Sequence, residues 1–285
     1  MSFTEQLDKE QMEVFNAMSQ LDYVGQACKF LDSFWSEVGD QAEFIFSVAT
    51  TCFREADMRA KGIQYVHQYQ PGVDLDFDLG LFFFEQVCKF ADTPDHVSFG
   101  PLGLHAWAKG HGNFKEEFAK SIPEMQTSIV RKKELREKVD VNFDGRVSLL
   151  EYLLYQYEVS PKLLVERSLA SGDEHEEITK ARAALAEAEA AIKAYEAEKK
   201  RLEDISESGN GVKELKAKNE LAQLGASPLW EAINVALIKA GAAVRMAVKK
   251  YGGVAGEGSG SGGGACQGSL WWMERDLKEK KARYE

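Results

Sequence analysis

Three observations predict an all-α protein. Prolines are few, six in 285 residues. Apolar residues recur with a period near 3.6 over long windows. Two sustained heptad patterns occupy the C-terminal part of the chain. The remaining composition fits that class: 44% hydrophobic and 28% charged residues exclude a disordered, collagen-like or membrane-embedded chain.

Residues 1–171 form the first predicted domain. They are rich in aromatic residues and acids, and residues 1–170 carry a net charge of −10 out of the chain's −11. A negative total argues against bulk binding to nucleic acid or anionic lipid. The start, MSFTEQLDKEQMEVF, has neither a secretory apolar run nor a basic transit character. No apolar stretch is long enough to span a bilayer. Cys28, Cys52, Cys88 and Cys266 are scattered, without the spacing of a zinc site or disulfide framework. The expected location is the reducing cytoplasm.

Within this domain DVNFDGRVSLLE, residues 140–151, has the spacing of a calcium-binding EF-hand loop. Calcium is a hard cation that takes six to eight oxygens on a flexible ring. Asp140, Asn142 and Asp144 supply side-chain oxygens at positions 1, 3 and 5. Gly145 permits the turn at position 6, and Arg146 offers its carbonyl at position 7. Ser148 stands at position 9 and Glu151 closes the ring with a bidentate carboxylate. Helical stretches flank the loop, PEMQTSIVRKKELREKV before and LLEYLLYQYE after. The alternative, an acidic turn that merely caps a helix, does not require the glycine or the apolar Val147 at position 8.

VDLDFDLGLFFFE, residues 73–85, aligns without gaps to VDVNFDGRVSLLE, residues 139–151. Asp74, Asp76, Asp78, Gly80 and Glu85 then fall at ligand positions. Leu79 replaces the glycine, at a cost of roughly 1–2 kcal/mol for a left-handed residue, and Phe82 supplies no oxygen. The copy reads either as a weak calcium site or as a degenerate hand paired to the good one through Leu81 and Val147, the second favoured. The segment between the loops, which includes HVSFGPLGLHAWAKGHGNF, has no predicted place in the fold. His105 and His111 read as surface-loop residues.

Residues 172–251 predict a coiled-coil-like helical hairpin. Ile178, Leu185 and Ile192, with Ala181, Ala188, Tyr195 and Leu202, make one seam. Trp230, Leu237, Val244 and Tyr251, with Ile233, Ala240 and Ala247, make the other. Acids open the first helix, Asp173, Glu174, Glu176 and Glu177, as the helix dipole favours. Ser227-Pro228 opens the second, and Gly252-Gly253 ends it. Residues 252–269 hold nine of the 24 glycines and read as a flexible linker. Residues 270–285 read as an amphipathic helix whose Trp271 and Trp272 fold back on the protein. Residues 232–256 contain no acid and include Lys239, Arg245, Lys249 and Lys250, with Lys213, Lys216 and Lys218 upstream. These lysines and arginine are either an ordinary solvated helix face or a docking face for an acidic partner.

No nucleophile elbow, P-loop or dinucleotide fingerprint is present, so a non-enzyme is expected. RKKELREKVDVNFDGRVSLLEYLLYQYE, AEFIFSV, EHEEITKARAAL, AYEAEKKRLE, ALIKAGAAVRMAVKKYGG and WWMERDLKEKKARY, in this order, resemble the calcium-regulated actin-bundling proteins. The resemblance implies a cytoskeletal cross-linker of actin filaments whose bundling calcium inhibits, with filament binding in the helical second half. It places calcium on the residues of 140–151 named above and leaves the first loop in doubt. Bundling needs two filament sites, from one chain or from self-association. The competing expectation is an EF-hand adaptor that binds a non-actin protein through a calcium-exposed groove.

Overall fold

The computed structural model describes residues 7–96, 103–172, 175–208, 211–252 and 266–284. Residues 253–265 of the predicted linker, like Asp173 and Glu174, lie outside the described residues, whereas its last residues, 267–269, are not linker but the start of the helix that runs to Tyr284, with Cys266 and Ser269 buried. The chain divides into two compact units. One comprises Met1–Ile63, Gln70–Gly172 and Gly264–Gly268; the other comprises Gln64–Tyr69, Asp173–Gly263 and Ser269–Glu285. The fold is all-α, with a single two-stranded ribbon among the described residues.

The first unit opens with α1 (Lys9–Ser19) and α2 (Tyr23–Val38). Asp8 starts α1 through a reciprocal capping box with Gln11, and Asp22 starts α2 by accepting from the Gly25 N–H at 2.7 Å. The short α3 (Ala42–Phe44) passes through a π turn, Ile45–Ala49, into α4 (Thr50–Ala60). Strand β1 (Asp74–Asp76) leads straight into α5 (Phe77–Asp92). Two short helices follow, α6 (Leu104–Gly110) and α7 (Phe114–Glu117). Then come α8 (Ser128–Glu134) with a π turn Leu135–Val139, strand β2 (Arg146–Ser148), α9 (Leu149–Gln156) and α10 (Pro161–Ser171).

Aromatic rings hold these helices together. Phe83 of α5 meets Tyr152 of α9 edge-on at 4.7 Å and Phe53 of α4 at 5.6 Å, all three fully buried. Burying one such ring contributes about 2–3 kcal/mol. The insertion without a predicted place belongs to this core. Trp107, Phe114 and Phe118 surround Phe90 and Phe44, and the Trp107 indole N–H donates to Glu43 at 3.1 Å. His105 is therefore not a loop residue, since it lies on α6, whereas His111 stands in the connection just after that helix, as its C-cap, with its ring stacked 4.5 Å from Trp107.

The second unit is built on α11 (Glu176–Ser208), α12 (Val212–Gln223), α13 (Pro228–Tyr251) and α14 (Gln267–Tyr284), the first two residues of α14 lying in the other unit. Tyr251 meets His175 and Glu177, Lys239 meets Glu187, and Trp230 meets Tyr195. Residue numbers rise along one helix as they fall along the other, so α11 and α13 are antiparallel. The seam is Ile178, Ala181, Leu185 and Ala188 against Ile233, Leu237, Ala240, Val244 and Ala247, all buried. Small residues at the seam let the backbones approach.

The predicted hairpin is incomplete in two respects. A separate helix, α12, returns along the end of α11, where Leu202, Ala217 and Leu224 share a small core with Tyr195, Ile205 and Leu221. The last helix also joins the seam. Tyr284 donates to Glu196 at 2.8 Å beside Trp230, and a Cβ on Gly241 would sit 3.7 Å from Leu277. Trp272 is buried. Residues Gln64–Tyr69 lie on α11: Lys193 donates to the Tyr69 carbonyl at 3.0 Å, and the Lys200 ammonium stands 5.0 Å from the Tyr65 ring. Among the described residues no helix is long and apolar enough to cross a membrane.

Candidate functional site

The 140–151 loop is wrapped around its own backbone amides. Asp140 accepts from the Gly145 N–H at 3.0 Å and the Asp144 N–H at 3.2 Å. Asn142 accepts from Asp144 at 3.2 Å, and Asp144 accepts from Arg146 at 2.8 Å. Glu151 reaches back across the ring, one oxygen on the Val141 N–H at 2.9 Å, the other on the Ser148 N–H and hydroxyl, each at 2.8 Å. Ser148 in turn caps α9, so strand end, cap and closing acid are one local device. Gly145 has φ +78° with open space around its Cβ position, so the backbone conformation is what calls for glycine there.

Among the described residues no three His, Cys, Asp or Glu side chains form a preformed metal cluster. The donor set still suits calcium. It is all oxygen, and its two anchoring carboxylates, Asp140 and Glu151, are buried with amide partners only from the loop itself. Burial pushes the Glu151 carboxyl up to about 7, with the Asp140 charge adding to it, and burial also raises Asp140. A hard cation would relieve that unfavourable pair of charges.

The first hand requires a correction. Residues 77–85 are helix rather than loop. The ribbon pairs Leu75 with Val147, Asp74 with Ser148 and Asp76 with Arg146. Leu75, not Leu81, therefore stands opposite Val147, a shift of six residues. The expected ligands are dispersed: Asp74 pairs with the Arg146 guanidinium, and Asp76 caps α5 through the Leu79 N–H at 2.9 Å. Asp78 meets Lys132 at 2.5 Å, Glu85 accepts from Ser128 at 3.3 Å, and Gly80 is buried beside Val147. In this register Leu79, not Glu85, corresponds to Glu151, so the closing carboxylate is missing.

An exposed lysine ties the chain that leads into this first loop. The Lys61 ammonium donates to Asp57 at 2.8 Å and to the Gln70 carbonyl at 3.1 Å. The Gly72 N–H meets the same Asp57 oxygen at 2.9 Å, and a Cβ on Gly72 would come within 2.5 Å of it. Lys61→Met is expected to cost about 1–2 kcal/mol, because the buried Asp57 loses its charged partner. Urea unfolding reads this, and an unchanged midpoint would refute the tie.

The seven cationic residues singled out in the second unit are all exposed, but several are engaged. Lys239 pairs with Glu187 at 2.5 Å, and Lys250 pairs with Glu177. Lys218 pairs with Glu214 at 2.5 Å, and Lys216 reaches Glu220 only at 3.7 Å. Lys239 and Lys250 thus bind α13 to α11. The residues missed in the sequence are apolar. Val235, Ile238 and Met246 are 60, 65 and 63% exposed. With Ala242 they form a stripe on α13 at helical spacing, flanked by Arg245 and Lys249. Val212 and Leu215 of α12 are exposed as well. The signal was present in the sequence as a second apolar series, offset from the heptad seam.

The family described as F actin bundling C terminal matches residues 146–282. The calcium-regulated actin-bundling protein of Dictyostelium discoideum is 50% identical over 287 aligned residues, covering 99% of this chain and 92% of that protein. The crystal structure of the 34 kDa F-actin bundling protein from the same organism superposes with a TM-score of 0.87 at 48% identity. It covers 98% of this chain and 99% of the other. Similarity of this degree along nearly the whole chain places it in the family of calcium-regulated actin-bundling proteins.

Proposed function

We propose that this protein cross-links actin filaments into bundles as a non-enzymatic component of the cytoskeleton. In this reading calcium at Asp140, Asn142, Asp144, Arg146, Ser148 and Glu151 lowers bundling. The observation that carries it is the exposed stripe of Val235, Ile238 and Met246 beside Arg245 and Lys249, which lies inside the matched bundling segment. An apolar row bordered by cations suits an acidic protein surface: the row provides buried area and the cations provide steering. Actin filaments are acidic, so a near-neutral helical unit can dock despite the chain's total of −11. Calcium acts on the helices that flank the 140–151 loop.

Low-speed sedimentation tests the reading. Actin is expected to pellet with the protein in calcium-free buffer and to pellet less when calcium is added. Ile238→Asp is expected to weaken high-speed co-sedimentation by about tenfold, the effect of placing a charge in a contact centre. No actin in the low-speed pellet without calcium would reject bundling, and native binding by the Ile238 variant would reject the stripe.

A further inference from the structure

We infer that the outward face of α8 and its π turn is a second filament-binding surface, and that it supplies the other contact bundling needs. The inference rests on the proposed function. This segment lies outside the residues matched to the bundling family, 146–282.

The helix has two contrasting sides. Arg131, Leu135 and Val139 point inward and are buried. Arg131 donates to Glu134 at 2.9 Å and to the Glu124 carbonyl at 2.6 Å, and its guanidinium lies 4.4 Å from the Phe84 ring. Glu134 also accepts from the Tyr155 hydroxyl at 2.9 Å, which ties α8 to α9. Burial opposes ionisation of Glu134, yet the Tyr155 and Lys138 hydrogen bonds and the Arg131 charge outweigh it and bring its pKa down.

The outward side has a different chemistry. Ile129 is 84% exposed, the highest value among the exposed large apolar residues that the structure describes. Helical spacing sets it beside Lys132, Lys133 and Arg136, all exposed. Lys133 approaches Glu137 only at 3.8 Å. Met125 and Val130 extend the apolar surface at 61 and 48% exposure. Besides the buried Arg131, four of the 17 basic residues in 1–170 are exposed within 131–138: Lys132, which meets Asp78 at 2.5 Å, Lys138, which meets Glu134 at 3.2 Å, and Lys133 and Arg136, in a segment of chain whose net charge is otherwise strongly negative. Charge complementarity therefore selects this face as the place on the first unit where an acidic filament can dock.

Its position in the chain also links it to the calcium loop. α8 and its π turn lead directly into Asp140, while Tyr155 lies on α9, the helix that carries Glu151. A change in the angle between these helices would re-aim Ile129 and its cations.

The test is the double variant Ile129→Asp/Lys133→Glu in the full chain, compared with native protein in calcium-free buffer. Both sites are exposed, and an unchanged melting temperature and calcium titration would show the fold intact. High-speed co-sedimentation through the α13 stripe is expected to stay within about twofold of native, while low-speed pelleting of actin falls by about tenfold or more. Native bundling by the variant would overturn the proposal. So would a native dimer in the ultracentrifuge that the variant splits, because the face would then join two copies of the chain. Loss of flotation with phosphatidylserine vesicles, with bundling unchanged, would assign the face to a membrane instead. If the native chain does not co-sediment with actin at high speed, the proposed function itself fails.

Discussion

Replacing Glu151 with glutamine is expected to weaken calcium binding on the order of 100-fold, roughly 2.7 kcal/mol for one lost charged ligand. The carboxylate has two oxygens in two places, one facing the Val141 N–H and the other facing the Ser148 N–H and hydroxyl. A cation at position 12 takes both oxygens in EF-hand loops. Glutamine keeps one oxygen and turns an NH2 group toward a backbone donor, so the ring cannot close with equal strength. In metal-free protein the change is much milder, since the amide no longer confines a buried charge but leaves one N–H poorly paired. Isothermal titration should give about one site per native chain and no measurable site in the variant at micromolar calcium. Bundling by the variant should persist in calcium that suppresses native bundling. Native-like titration of the variant would remove this loop from consideration as the switch.

The two hands differ in how far the sequence reveals them, for a physical reason. A ligand-bearing loop writes its geometry into residue type: Gly145 has the left-handed φ its position needs, and Ser148 caps the helix that carries Glu151. Degenerate loops keep only what the ribbon needs, an apolar residue at the centre of a short strand. Leu75 satisfies that between two aspartates whose spacing imitates ligands. The alignment of acids therefore fell on a helix cap, Asp76, and on the helix after it. The discriminating signal was the run Phe77–Asp92, too strongly helical to begin as a loop.

In the second unit the heptad seams were legible because α11 and α13 bury regular rows. The docking of residues 64–69 and of α14 was not, because each depends on chain segments far apart in sequence. The Lys193 contact to the Tyr69 carbonyl spans 124 positions and leaves no local pattern. Whether Lys239 and Lys250 belong to a solvated face or a docking face stays open in the sequence for the same reason, since their partners Glu187 and Glu177 lie on the other helix. Five basic residues in 131–138 are plain in the sequence. Their sorting into a buried Arg131 and an exposed Lys133 and Arg136 needs the helix phase that the buried Leu135 and Val139 set.

A second variant, Gln26→Leu, is expected to cost about 3–5 kcal/mol of stability, although leucine is close to glutamine in size and the site is fully buried. The Gln26 amide nitrogen is shared by the Ser19, Leu21 and Val73 carbonyls at 2.9, 2.7 and 2.7 Å. Its oxygen accepts the Leu150 N–H at 2.9 Å. One side chain on α2 thus holds the residue before β1 and the first turn of α9. Both attachments meet at the ribbon: Val73 leads to Leu75, and Leu150 precedes Glu151. Leucine would leave the Leu150 donor and at least one carbonyl without partners in a dry interior, and its own added apolar burial offsets only part of that. Urea unfolding should show the lower midpoint. Calcium affinity should fall as well, since the start of α9 that presents Glu151 loses its anchor. A stability loss under about 1 kcal/mol would mean that water or backbone adjustment satisfies these groups and that Gln26 does not brace the paired hands.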